Sequence, residues 1–371
     1  MAVSVGGLVN SADFTSLLIA TNAILGNGEG QTGYGQICSS IENYSTVNTT
    51  NNISIVEWNA IRTDINKCSR HQSDNDAITA NAVASSIIGA DASGPNVTRI
   101  SGDTFSIDTP VATRGVNDWV SAVSTITTNS NLVSSVHYSL TDTRAFLNSS
   151  RSTSWGGAGQ LQQIYTEFSV TFDGGYTTTN TSGVSAVATS NDHFRHFFNS
   201  GGEIRISGSH SGSTSKASDW GLLLGNMGAI VFGKNATTCT GTGRPRDGNT
   251  NVDQVGGIES ALGAFQLTTG YQLIFQRNGG GENSNYAENY INIYAKRDSS
   301  TRTITFQVEL VDADVGDQRP REPGAGDPAG PGIDEPVTGT TIIGVDLKRA
   351  TGVYVSIPAP APNIVTELRL T

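Results

Sequence analysis

Apolar residues first recur at helical spacing. Phe14, Leu17, Leu18 and Leu25 fall near one face of a helix over 11–25, with Ser11 as N-cap and Gly26 as stop. Trp58, Ile61, Ile65 and Cys68 repeat on a second helix over roughly 55–70, opened by the capping box Ser54-Ile-Val-Glu57. Such a stripe is a core face before it is a binding face, and Arg62 and Lys67, off the stripe, are expected in solvent. Residues 71–113 have no period and predict an irregular connection. Val116, Trp119, Val120, Val123 and Ile126 then share one face of a third helix over 116–127.

From there the period drops to two. Phe168, Val170 and Phe172 alternate with polar residues up to the turn Asp173-Gly-Gly175. Ile204 and Ile206 follow the turn signal Asn199-Ser-Gly-Gly202. Alternation returns at Tyr271, Leu273 and Phe275, at Ile291, Ile293 and Ala295, at Ile304, Phe306, Val308 and Leu310, and at Val353, Val355 and Ile357. One-sided alternation marks antiparallel sheets with one buried face, and strands joined by Gly-rich turns suggest a sandwich. The predicted class is α+β, mainly β. A small N-terminal helical attachment module occupies 1–75, a connection with an amphipathic helix 76–150, and a sandwich-like β domain 151–371. Within the last, Pro and Gly dominate 316–338, which excludes helix and central strand. A plain connector and a clasp over a neighbouring subunit both fit this loop; Arg319, Arg321, Pro323, Pro328 and Pro331 are its candidate subunit contacts.

Composition narrows the chemistry. The 371 residues carry 15% charged and 7% aromatic side chains, 43 glycines and a net charge of −11. That describes an ordered, turn-rich chain with an uncharged polar surface. The acidic balance disfavours a grip on nucleic acid, and no apolar run approaches the ~20 residues of a membrane span. The start, Met1 to Gly7, has neither the cationic stretch nor the apolar core of a secretory signal, so none is expected. Cys38, Cys68 and Cys239 do not form a disulfide framework; Cys38 and Cys68 would meet if the first two helices pack, and reduced buried thiols are expected.

The densest chemistry lies in Asn191-Asp-His-Phe-Arg-His-Phe-Phe-Asn-Ser-Gly-Gly202. Phe194, Phe197 and Phe198 read as a buried anchor, joined as structural anchors by Trp220, Trp58 and Tyr34. His193 and His196 are spaced for a helical metal site, but only Asp192 stands near as a further ligand, so anchoring is the better reading. The glycine loop 26–35 lacks the Lys-Ser/Thr of a phosphate loop and follows a helix rather than opening one; its glycines suit a backbone wrapped around docked Tyr34. HExxH, GxSxG and GxxxxGK[ST] do not occur, and Asp173, Glu203 and Asp219 have no defined pairing. Asp312, Asp314 and Asp317 resemble part of a calcium loop without its closing Glu; a solvated turn fits better, with calcium the lesser alternative. No enzyme activity, cofactor or metal is expected.

Asp192-His-Phe-Arg-His-Phe-Phe-Asn-Ser-Gly-Gly-Glu-Ile-Arg205, Asp219-Trp-Gly-Leu-Leu-Leu224 and Gly228-Ala-Ile-Val-Phe-Gly233 also resemble a family of virion structural proteins of tailed phages of cyanobacteria and marine bacteria. Further matching segments are Ala12-Asp-Phe-Thr15, Leu25 to Gln36, Val56 to Ile65, Gly316-Asp317, Asp334 to Gly339 and Arg349 to Pro358. The resemblance runs in one order over most of the chain, excepting 80–113 and 319–331. It implies a tail-associated virion protein, assembled in a host cytoplasm, whose partners are copies of itself, a trimer favoured, and other tail proteins. It carries no catalytic residues. The alternative is a receptor- or glycan-binding adhesin at the tail tip, using Trp155, Tyr176 or Tyr286 on Gly-rich loops.

Overall fold

The computed structural model describes residues 11–28, 32–39, 55–78, 116–139, 147–157, 160, 162–179, 185–241, 260–278, 286, 288–298, 300, 302–313 and 335–370. In chain order the elements are α1 (Ser11–Leu25), α2 (Ile55–Ser73), α3 (Val116–Thr128), β1 (Tyr138–Ser139), β2 (Leu147–Arg151), β3 (Gln163–Thr171), β4 (Thr177–Thr179), β5 (Ser185–Val187) and α4 (Ser190–Asn199). There follow β6 (Glu203–Ser211), α5 (Ser215–Met227), β7 (Ile230–Phe232), β8 (Thr237–Cys239), β9 (Gln272–Asn278), β10 (Tyr290–Arg297), β11 (Thr303–Val311), β12 (Thr340–Ala350) and β13 (Ala361–Leu370). The chain is α+β and mainly β, with antiparallel pairing throughout the described sheets.

The chain divides into two compact units, and neither is contiguous. One gathers 1–139, 174–202 and 349–358; the other holds 140–173, 203–348 and 359–371. This differs from the sequential division at 75 and 150. Helix α4 and the segment after Lys348 belong with the N-terminal helices, because their polar and aromatic side chains find partners there.

In the first unit α1, α2 and α3 pack pairwise. Of the periodic residues, those of α1 and α2 and Trp119, Val123 and Ile126 of α3 are buried as expected, and Val120 is half-buried: Phe14 meets the Trp58 ring edge-on at 5.2 Å, and Trp58 meets Trp119 at 5.2 Å. Burying three such aromatics contributes several kcal/mol, which short helices of this composition need. Arg62 and Lys67 correct the solvent expectation. Both are half-buried; Arg62 Nε donates to the Ile78 carbonyl at 3.0 Å, and Lys67 Nζ reaches Ser39 Oγ at 3.0 Å and Asp64 at 3.3 Å. Cys38 and Cys68 are buried free thiols, and burial pushes both well above the usual thiol range. The Cys38 thiol points at Asn22 Oδ1 at 3.1 Å. The Ser54 cap and most of the predicted irregular connection lie outside the described residues. Residues 353–357 are not a strand: an isolated bridge joins Thr351 and Ser356, Val353 is 93% exposed, and Val355 and Ile357 are buried. Alternation alone does not supply the neighbouring strand that a ladder requires.

In the second unit two antiparallel sheets face each other. One has the order β13-β3-β11-β10-β9; the other runs β2-β12-β6-β7-β8. They meet where Phe232 packs edge-on against Phe306 at 5.1 Å, and where Ser149 Oγ donates to Glu367 at 2.7 Å. Inward positions of β11, from Ile304 to Leu310, are fully buried. Strand β9 departs from the predicted alternation. Its pairing to β10 slips between Ile293 and Tyr294, so Ile274 and Phe275 are both buried while Tyr271 and Leu273 are exposed. A bulge inserts one residue and shifts the inward face. Two helices, α4 and α5, went unrecognised in the alternation reading, and α5 packs along β6.

Candidate functional site

Helix α4 holds the anchor. Thr189 caps it: the Thr189 hydroxyl accepts from Asp192 N–H at 3.2 Å, and Asp192 Oδ2 accepts from Thr189 N–H at 2.9 Å. This reciprocal box is a local signal in the sequence that could have marked the helix start. Phe194, Phe197 and Phe198 are buried as predicted, with Phe197 and Phe198 edge-on at 5.0 Å and Phe194 and Phe198 at 5.3 Å. Trp58, Tyr34 and Trp220 are buried too. The structure brings Tyr34 together with the α4 segment and the tail of α2; Trp220 belongs to the second unit.

The opposite side of α4 is polar and bonded to distant segments. His196 Nε2 donates to Asn27 Oδ1 at 3.0 Å, and its Nδ1 accepts from the Tyr176 hydroxyl at 2.8 Å. His193 Nδ1 accepts from Gly174 N–H at 3.2 Å, so Nε2 carries the proton and donates to the Pro358 carbonyl at 2.9 Å. Every ring nitrogen of the pair is taken, so the two imidazoles cross-brace separate segments. Among the described residues no group of three or more His, Cys, Asp or Glu is placed to hold a metal. Arg195 bonds Asp192 at 2.6 Å and reaches Asn27. Burial would raise the Asp192 carboxyl, but its bonds to Thr189 and Arg195 outweigh that and hold it low.

The glycine loop wraps this face. Gly35 has φ +69°, and a Cβ there would stand 2.2 Å from His196 Nδ1. Glycine is needed both for the backbone conformation and for the approach. Tyr34 docks as expected: its hydroxyl donates to the Ser130 carbonyl at 2.9 Å and accepts from Gln72 at 2.9 Å. His71 donates from Nε2 to the Ser200 carbonyl at 3.1 Å and packs edge-on against Tyr34 at 4.9 Å. Burial lowers His71 and His196 to about 4 each. For His71 the Ser200 bond opposes burial; for His196 the Arg195 charge adds to it.

A second polar cluster, in the other unit, escaped the sequence reading. Lys216 in the first turn of α5 is fully buried, and its Nζ meets Asp312 Oδ2 at 2.7 Å with both side chains at 0% exposure. Nζ also donates to the Gly156 carbonyl at 3.2 Å. Glu335 Oε2 accepts from the Lys216 backbone N–H at 3.4 Å and from the Tyr286 hydroxyl at 3.1 Å. A carboxylate at a helix N-terminus is favoured by the free amides there. Asp312 is therefore no solvated turn residue. Its sequence neighbours Asp314 and Asp317, like Arg319, Arg321, Pro323, Pro328 and Pro331, lie outside the described residues. Beyond them, Val337 makes a two-bond bridge to Trp155.

The aromatic residues considered for glycan binding are not displayed. Trp155 and Tyr286 are buried, and half-buried Tyr176 commits its hydroxyl to His196. No described helix is long and apolar enough to cross a membrane. No family model, no curated protein and no solved structure matches the chain.

Proposed function

We propose that the chain is a structural component of a tailed-phage virion, part of the tail, acting through symmetric assembly interfaces. The observation that carries this reading is where its reactive side chains go. His71, His193, His196, Arg195, Lys216 and Asp312 all bond to segments far away in sequence, tying discontinuous stretches into two units. Such a distribution suits a building block. The motif resemblance supplies the virion context. Among the described residues the five-stranded sheet ends in β9, with exposed Leu273 and, just before it, Tyr271, and in β13, with exposed Val365. Unpaired edges with apolar residues invite cover from a neighbouring copy.

The purified chain is expected to be a homo-oligomer, a trimer foremost. Native mass measurement at micromolar concentration tests this, and the copy number on a symmetry axis of the intact tail tests it in place. A stable monomer that is also absent from purified particles overturns the reading.

A further inference from the structure

We propose that Lys216 and Asp312 are joined by an intramolecular isopeptide bond that forms after folding, between Nζ and the Asp312 carboxyl carbon. An ordinary buried ion pair explains the placement poorly. Stripping water from two charges costs several kcal/mol for each ion, and mutual attraction seldom leaves a net gain. Here neither side chain touches solvent.

The geometry is that of a reactive pair. With Nζ 2.7 Å from Oδ2, the carboxyl carbon one bond beyond that oxygen is at most about 4 Å from the nitrogen, close to the roughly 3–3.5 Å of a near-attack arrangement. Gly156 makes this approach possible: its φ is +70°, and a Cβ would stand 2.3 Å from Asp312 Oδ2. Its carbonyl, 3.2 Å from Nζ, orients the amine. Trp155 and Trp220 pack with tilted rings 5.1 Å apart, Trp220 one helical turn beyond Lys216 and Trp155 preceding Gly156. The Tyr286 ring lies 5.9 Å from Nζ. These rings keep the pair dry, which protects the amide from hydrolysis once made. Fixing amine and acid side by side lowers the barrier to amide formation, with effective molarities of about 10⁵–10⁸ M for well-oriented partners, and a site without water favours the condensed product.

The step balances without any co-reactant. One proton crosses from the Lys216 ammonium to Asp312 Oδ2, leaving a neutral amine and a neutral acid. The nitrogen lone pair attacks the carboxyl carbon; the C–OH bond then breaks, and the oxygen leaves as water with a second proton from nitrogen. We assign the relay of that second proton to Glu335, the buried carboxylate whose Oε2 accepts from the Lys216 backbone N–H at 3.4 Å.

The test is the mass of the denatured full-length chain, followed by peptide mapping. The expected chain is lighter than its sequence by one water, with no tryptic cleavage after Lys216 and one branched peptide containing both Lys216 and Asp312. A chain of full sequence mass, with Lys216 and Asp312 in separate peptides, overturns the proposal. A water lost only within the Asp312 peptide, as in cyclisation onto its own backbone, overturns it equally. Lys216→Arg keeps the positive charge and is expected to restore the full mass. Glu335→Gln keeps an acceptor for the Tyr286 hydroxyl and is expected to fold, by unchanged circular dichroism, yet cross-link at least tenfold more slowly; an unchanged rate removes Glu335 from the step.

Discussion

Acidification will unfold the helical unit through two buried imidazoles. His71 and His196 are held to about 4 in the folded chain, mainly by burial, against about 6.5 for an exposed histidine. The unfolded chain therefore binds more protons as pH drops below about 6.5. The stabilisation is complete above that value and is lost as pH falls towards about 4. Linkage gives a loss of about 2.5 kcal/mol for each histidine by pH ~4.5, and about 3 kcal/mol for each by pH ~4. Together these are a large part of the 5–15 kcal/mol of an ordinary domain. The groups facing them do not cancel the effect. Arg195 and His193 disfavour a charge on His196 while Asp192 and the Asn27 bond favour it; His137 disfavours one on His71 while the Ser200 bond favours it; burial outweighs them all. Asp192 and Asp76, held low by their partners, add a further loss only at more acid pH. The assay is hydrogen exchange of peptides from α2 and α4, corrected for intrinsic rates, from about pH 7 to about pH 4.5. Protection should fall steeply between about pH 6 and 4.5, and the fall should flatten in the His71→Gln, His196→Gln double variant. Protection that stays constant over this range, or an equal slope in the double variant, would refute the argument.

Two further outcomes follow from the packing of the same unit. Phe197→Ala removes a fully buried ring packed on Phe198 and is expected to cost about 3–5 kcal/mol in chemical denaturation; a loss below about 1 kcal/mol would mean that the site collapses or is not packed. Residues 1–75 expressed alone should show no cooperative unfolding transition, because Gln72, Tyr34 and His71 bond to Ile126, Ser130 and Ser200 and the Trp58 ring packs on Trp119; a sharp monomeric transition would contradict this.

What the chain spelled out by itself was local. The apolar period over 11–25, 55–70 and 116–127 produced α1 to α3, and alternation over 290–297 and 303–311 produced β10 and β11, because backbone geometry fixes which residues share a face. The burial of Phe194, Phe197, Phe198, Trp58, Tyr34 and Trp220 was legible for the same reason: large aromatic rings in a polar chain have few other places to go. The capping box Thr189 to Asp192 is a further local signal, marking the start of α4. Other features had no local signature. The bulge at Ile274 depends on the register with β10, and the failure of 353–357 to become a strand depends on a missing neighbour. Lys216 and Asp312 stand 96 residues apart, and Asp312 read as a solvated turn until topology brought α5 against the end of β11. A charged residue's fate is decided by the partner and the solvent that the completed fold allots to it, and short-range periodicity contains neither. The two interleaved units likewise rest on contacts between 174–202, 349–358 and the N-terminal helices, which only the closed chain creates.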